Sequence, residues 1–150
     1  MIRSVLLVLA VFLTVSCSKD DSNYEYENLE NQVFELVNKH RIATGLQELK
    51  PNSFIVEQAR SHSMRMASGA VAFGHDGFDT RFDALKVKLK ATNGAENVAL
   101  GYTTPQAVVT SWLNSSGHKT NIEGKYTVSG IGIAKSKEGK YYYTQLFIKN

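Results

Sequence analysis

The chain has 150 residues, 43% hydrophobic and 21% charged, with a formal net charge of +3 and an isoelectric point near 8.9. That length suits one domain, and so balanced a charge does not indicate nucleic acid as a partner. One cysteine among 150 residues excludes an internal disulfide.

The N-terminus carries Arg3 and then an unbroken apolar run, Val5 to Leu13 (VLLVLAVFL). A membrane-spanning helix needs about 20 apolar residues, so this run is too short to cross a bilayer. It has the form of the apolar region of a secretory signal peptide. Thr14, Val15 and Ser16 lead into the lone Cys17. Small residues before a cysteine that closes such a region resemble the lipobox of bacterial lipoproteins, although Thr14 stands where that motif usually has leucine. The resemblance implies that residues 1–16 are a signal peptide and that Cys17 becomes a lipidated N-terminus. The partner would then be the membrane, held through acyl chains. Two or more chains anchor stably, whereas one alone attaches marginally. Ser18 to Asn23 (SKDDSN) is short, polar and acidic and reads, with Cys17, as a tether over residues 17–23. The folded domain is then expected over residues 24–150.

The first predicted helix places Leu29, Val33, Leu36, Val37 and His40 on one face. Ser22 with Glu25 forms a capping-box pattern at its start, and Gly45 is a natural stop. Ile55, Ala59, His62 and Met66 repeat the spacing in a second helix ending near Gly69. A third starts at Asp79, with Phe82, Leu85 and Leu89 inward; Lys86, Lys88 and Lys90 beside them read as a solvated basic face. The fourth has Thr104 as N-cap and Pro105 at the first helical position, with Val108, Val109 and Trp112 inward. After Asn121 the period changes. Val128, Ile131 and Ile133, the turn KSKEGK (Lys135 to Lys140) and YYYTQLFI (Tyr141 to Ile148) predict an antiparallel hairpin. Helices first and strands last, without a βαβ repeat, indicate an α+β layered domain.

Four histidines are present. His40 and His62 lie on apolar helix faces and read as structural, with His62 the nearer to a pocket edge. His75 and His118 sit in glycine-flanked segments read as non-helical, AFGHDG and SSGHKTN, where loops on a rigid scaffold concentrate ligand and catalytic groups. Glu96, in GAENVALGY, is an acid directly before an apolar stretch, placed to cap or to meet a buried donor.

Taken in order, ELVNKHR, EQARSHSMRM, FGHDG, AENVALGYTTPQAVVTSW, NSSGHKTNI, GIGI and YYYTQLF resemble the CAP superfamily of cysteine-rich secretory, antigen five and pathogenesis-related proteins. The likeness is to its short bacterial branch, also called SCP-like, and covers the whole of residues 24–150. It implies an α-β-α sandwich with an antiparallel sheet between helical layers, and a cleft holding two histidines and two glutamates. By motif the histidines fall on His75 and His118 and one glutamate on Glu96. The second glutamate's place, three residues after Trp112, is taken by Ser115.

Two chemistries follow. His75 and His118 as neutral imidazoles are a ligand pair for Zn²⁺ or another divalent cation, with Glu96 fixing one tautomer. Catalytic zinc normally has three protein ligands, so such a site would hold metal weakly. A metal-assisted hydrolase or protease would use Glu96 as base toward metal-activated water. Serine catalysis by Ser115 or Ser116 with His118 is the poorer fit, since Ser116 stands only two residues from His118 and no G-x-S-x-G elbow frames either serine. Asn114, Ser115 and Ser116 instead read as satisfying the last carbonyls of the fourth helix, with Gly117 permitting the turn. Asn121 is expected to brace its own loop, and Gln145 to reach the cleft floor from the last strand. The expectation is an exported, envelope-anchored binding module for a small-molecule, lipid-like or cell-wall ligand.

Overall fold

The computed structural model describes residues 19–150. The expected signal peptide and Cys17 lie outside the described residues. Helix α1 (Lys19–Ala43) already contains Ser22 and Glu25, so that pair lies within the helix and not at its N-cap, and the segment read as a tether is helical from Lys19. Its inward side buries Val33, Val37 and Arg41, and Gly45 turns the chain at φ 76°. Strand β1 (Lys50–Pro51) is a two-residue edge. Helix α2 (Ser53–Ala67) is capped by Asn52, whose side-chain oxygen accepts from the Phe54 and Ile55 amides at 3.0 and 3.2 Å. It buries Ile55, Ala59, His62 and Met66, the stripe read from the sequence, and Ser63 with them. Helix α3 (Phe78–Leu89) buries Leu85 as expected and Arg81 in addition, whereas Phe82 and Leu89 are half-buried.

Strand β2 (Asn93–Leu100) precedes α4 (Pro105–Asn114), which Thr104 caps by accepting from the Ala107 amide at 3.2 Å. A short α5 (Ser116–Ile122) leads to the hairpin β3 (Val128–Lys135) and β4 (Tyr141–Lys149). The sheet order is β1-β3-β4-β2. Both pairings of β4 are antiparallel, but Lys50 and Pro51 run parallel to Val128 and Ser129, so the sheet is mixed and not wholly antiparallel. Pro51, without an N–H, ends that edge strand after two residues. β2 carries no alternating signature because Ala95 through Ala99 are buried on both faces of the sheet.

Three layers result. Ala99, Ile131, Ile133, Tyr143 and Phe147 of one sheet face pack with Val33, Val37, Val108, Trp112 and Ile122 from α1, α4 and α5. Val128, Leu146 and Ile148 of the other face pack with Ile55 and Ala59 of α2 and Leu85 of α3. The α2 layer sits on bare backbone. A Cβ at Gly132 would overlap Arg60 N and Ala59 C, and one at Gly130 would stand 2.6 Å from Val56 N.

Polar clasps fix the edges. Arg41 donates to the carbonyls of Gln47, Ile122, Gly124 and Tyr126 at 2.5–3.3 Å, tying the end of α1 to the end of α5 and the approach to β3. His40 Nε2 meets Glu123 at 2.8 Å in the same junction, a structural role as read. Buried Glu30 of α1 binds Arg60 of α2 through both oxygens and accepts from the Ile133 amide at 3.0 Å, capping the outer edge of β3. Among the described residues no helix is long and apolar enough to cross a membrane.

Candidate functional site

The other sheet edge is β2, and two layers meet around it. From the α2/α3 side comes the loop carrying His75, and from the α4/α5 side comes α5 carrying His118. Glycine at 77, φ 76°, lets the loop turn straight into α3. His62 anchors it from below, its Nε2–H donating to the Gly74 carbonyl at 2.9 Å, and Arg81 Nη1 holds the Asp76 carbonyl at 2.8 Å.

Arg81 then turns its remaining donors on Glu96: Nε to Oε2 and Nη2 to Oε1, each at 2.8 Å. The Glu96 side chain is 2% exposed, yet its Oε1 also lies 3.0 Å from Nδ1 of His75, whose side chain is 54% exposed. A carboxylate only accepts, so Nδ1 of His75 is the donor, and in the neutral ring Nε2 is left as the ligand nitrogen.

α5 reaches the same edge through amides. Asn97 donates to the His118 carbonyl at 3.1 Å, and Asn121 donates to the Glu96 carbonyl at 3.2 Å and to Asn97 Oδ1 at 2.9 Å. The bond to the Glu96 carbonyl, with that of Trp112 Nε1 to the Val98 carbonyl at 3.2 Å, occupies two backbone acceptors of β2. His118 is therefore helical, unlike the loop position expected for it, and Gly117 lies inside α5 and not at a turn. Ser115 is the joint between α4 and α5. Its N–H donates to the Trp112 carbonyl at 3.2 Å, as expected for a helix end, and its own carbonyl starts α5 by accepting from Lys119 at 2.8 Å. Asn121 braces β2 and not its own loop.

His75, Glu96, Ser115, His118 and Asn121 thus line one shallow cleft of about 580 Å³, with Ser116 and Thr120 on its rim. Gln145 does not open onto it. It is fully buried, donates to Ser129 Oγ at 3.1 Å, and pairs across from Asn97, one residue out of phase with Glu96 and so on the opposite sheet face. Arg81 and Asn97 are parts that the sequence does not mark for the site, while His62, read as structural and near a pocket edge, is buried and anchors its loop. Arg81 had a signal: it falls three residues after Phe78 and four before Leu85, a charge within an inward stripe.

Burial pushes the His118 ring below the usual 6.5, and the charge of nearby His75 pushes it further. His62 is lowered too, by burial first and by Arg81 and Arg65 after it, against the Gly74 bond and Glu96. Both rings are folded in the neutral form. Their contribution to stability is complete above pH 6.5 and is lost as pH falls below it. An NMR pH titration is expected to place the His118 midpoint below 6.5, and His75→Gln to raise it only part-way, because burial remains. A midpoint at or above 6.5 would contradict this geometry.

As metal ligands the donors are few. Among the described residues no group of three or more His, Cys, Asp or Glu is arranged to hold an ion. Two imidazoles remain, with Glu96 already engaged by Arg81.

Residues 34–147 match the family model described as CAP, the cysteine-rich secretory protein family. The chain belongs to the CAP family. It is 33% identical over 123 residues to the uncharacterized protein YkwD of Bacillus subtilis (strain 168), covering 79% of this chain and 46% of that one. The uncharacterized membrane protein YlbC of the same organism is 33% identical over 126 residues, 80% of this chain and 34% of YlbC. Among solved structures, an extracellular protein containing a SCP domain from Bacillus anthracis str. Ames superposes with a TM-score of 0.75 at 26% identity, over 91% of this chain and 45% of that one. The chain therefore spans less than half the length of these relatives. The three-layer α+β architecture described above is the one this likeness to an SCP-domain structure carries.

Proposed function

We propose that this CAP domain is an exported, envelope-anchored binding module whose cleft takes a small polar or lipid-like ligand or a cell-wall component, and a divalent cation weakly. The carrying observation is the state of Glu96. Both oxygens bind Arg81, one also faces His75 Nδ1, and the side chain is 2% exposed. It orients His75, and with both oxygens engaged by Arg81 it is poorly placed to draw a proton from water in the cleft. That favours binding over a metal-assisted hydrolase with Glu96 as base, and Ser115 supplies no second carboxylate.

What supports a weakly held cation is that both imidazoles line one cleft. His75 Nε2 and the His118 ring, kept neutral by burial, would hold the ion with water completing the shell. A bound ion would polarise an oxygen of the ligand. Ser115 and Asn121 add hydrogen-bonding groups on the cleft wall. Support for export comes from the relatives, one described as extracellular and one as a membrane protein. The apolar run before Cys17 supports the anchor.

Zinc at about 100 times its dissociation constant is expected to stabilise the fold by about 2.7 kcal/mol and raise its thermal midpoint by several degrees. The His75→Ala/His118→Ala variant should lose that rise; no rise in the parent protein removes metal from the proposal. Solubilised cell-wall fragments should move the His75 and His118 ring signals. Zinc-dependent turnover of peptide, ester or glycan substrates that Glu96→Gln abolishes would overturn the binding reading in favour of hydrolysis. Cys17→Ser should shift the protein from the membrane fraction to the soluble one, and retention in the membrane would remove the lipid anchor.

A further inference from the structure

Far from the histidine cleft, around the opposite sheet edge, α1 and α2 flank a trench of about 750 Å³. The Glu30–Arg60 pair bridges its floor beside β3, so the backbone there is closed to pairing: Ser129 is fully buried and Ile131 is 1% exposed. What the trench offers is side chains. Phe34, Val56 and Met64 line it, and Met64 is 56% exposed. A second hollow of about 340 Å³ shares Phe34 and Glu35 with it and continues along α1 to Ile42, itself 58% exposed. The run from Glu27 to Ile42 covers about four helical turns, on the order of 22 Å. That is longer than a small ligand requires and matches one face of a docked helix.

Charge selects the occupant. Apart from the Glu30–Arg60 pair, the combined trench is lined by Glu27, Glu35, Glu48 and Glu57 against Lys39 alone, on a chain whose net charge is +3. Glu27 stands 3.6 Å from Arg60, and the other three acids form no ion pair among the described residues. Apolar side chains within an acidic rim repel anionic lipid surfaces and attract lysine or arginine. A second copy is the poorer match. Its basic helix α3 also carries Asp79 and Asp83, and Lys86 is already paired with Asp83.

We propose that this trench is a docking site for a basic amphipathic helix of a partner protein. The inference does not rest on the cleft's proposed function, since the two features lie on different edges of the sheet. The probe is a fluorescein-labelled peptide of about fourteen residues, with leucine at helical spacing and lysine elsewhere; its counterpart carries glutamate for lysine. Anisotropy should show binding of the lysine peptide, weakened by high salt, and none of the glutamate peptide. Amide NMR shifts should gather in residues 27–42 and 53–64. Glu35→Gln/Glu57→Gln should weaken binding about fivefold, and Met64→Arg, placing a cation in the trench, should weaken it independently. Thermal midpoints confirm that each variant is folded. His75→Ala/His118→Ala should bind the peptide as the parent does, which separates this test from that of the cleft. No binding, equal binding of both peptides, shifts centred elsewhere, or full affinity in both trench variants would overturn the proposal. So would a peptide-free dimer whose interface maps to the trench, which would assign it to a second copy.

Discussion

Arg81→Met is expected to lower stability by about 3–5 kcal/mol, because it strands the buried Glu96 carboxylate without its cation. For a domain of this size that corresponds to a fall in thermal midpoint of roughly 10–15 °C, read by calorimetry. The mechanism makes a second, sharper demand. Arg81→Met/Glu96→Leu removes both charges and should recover a large part of the loss, since a buried pair contributes far less than its broken half costs. Arg81 also holds the Asp76 carbonyl, so neither variant should retain the native His75 loop, and His75 ring signals should broaden or move in both. A single variant within 1 kcal/mol of the parent, or a double variant worse than the single, would show that Glu96 is not organised by Arg81.

Gly132→Ala is the second large effect. The new methyl would collide with backbone atoms of Ala59 and Arg60, which cannot rotate away as a side-chain tip does. Helix α2 would have to lift from β3, opening the Ile55, Ala59 and Leu146 cluster. Overpacking a core costs about 1–3 kcal/mol where side chains yield, and a backbone obstacle puts this change at or above the top of that range. Gly117→Ala is the matched control. No atom lies within 4 Å of its would-be Cβ and the position is helical, so alanine should stabilise by about 0.5–1 kcal/mol. Equal effects at the two glycines would refute the close-approach argument.

The parts of this fold that announce themselves in the sequence are those whose environment is one-sided. Val33, Val37, Ile55, Ala59, Val108 and Trp112 recur at helical spacing because each helix has one wet face, and Thr104-Pro105 marks a helix start through local chemistry. β2 is silent because both its faces are covered, which erases alternation. β1 is too short to carry a pattern, and the seven residues of α5 follow α4 so closely that the joint reads as a single helix end. For the site, His75, Glu96 and His118 were identified by motif resemblance and glycine-flanked context, not by any periodicity. Arg81 leaves a faint trace, because a charge on a helix is ordinarily solvent-facing and only its place between Phe78 and Leu85 argues otherwise. Gln145 was misplaced by one step of strand phase, enough to send it to the far face.

The way the sheet's rims are closed has a consequence for how copies of this protein meet. Asn121 and Trp112 occupy the Glu96 and Val98 carbonyls on β2, Glu30 occupies the Ile133 amide on β3, and proline terminates β1. Exposed strand rims are the templates on which chains zip together into cross-β aggregates. Among the described residues these rims are partly capped, so crowding many copies on a small area should leave them individually folded and disfavour amyloid-like association.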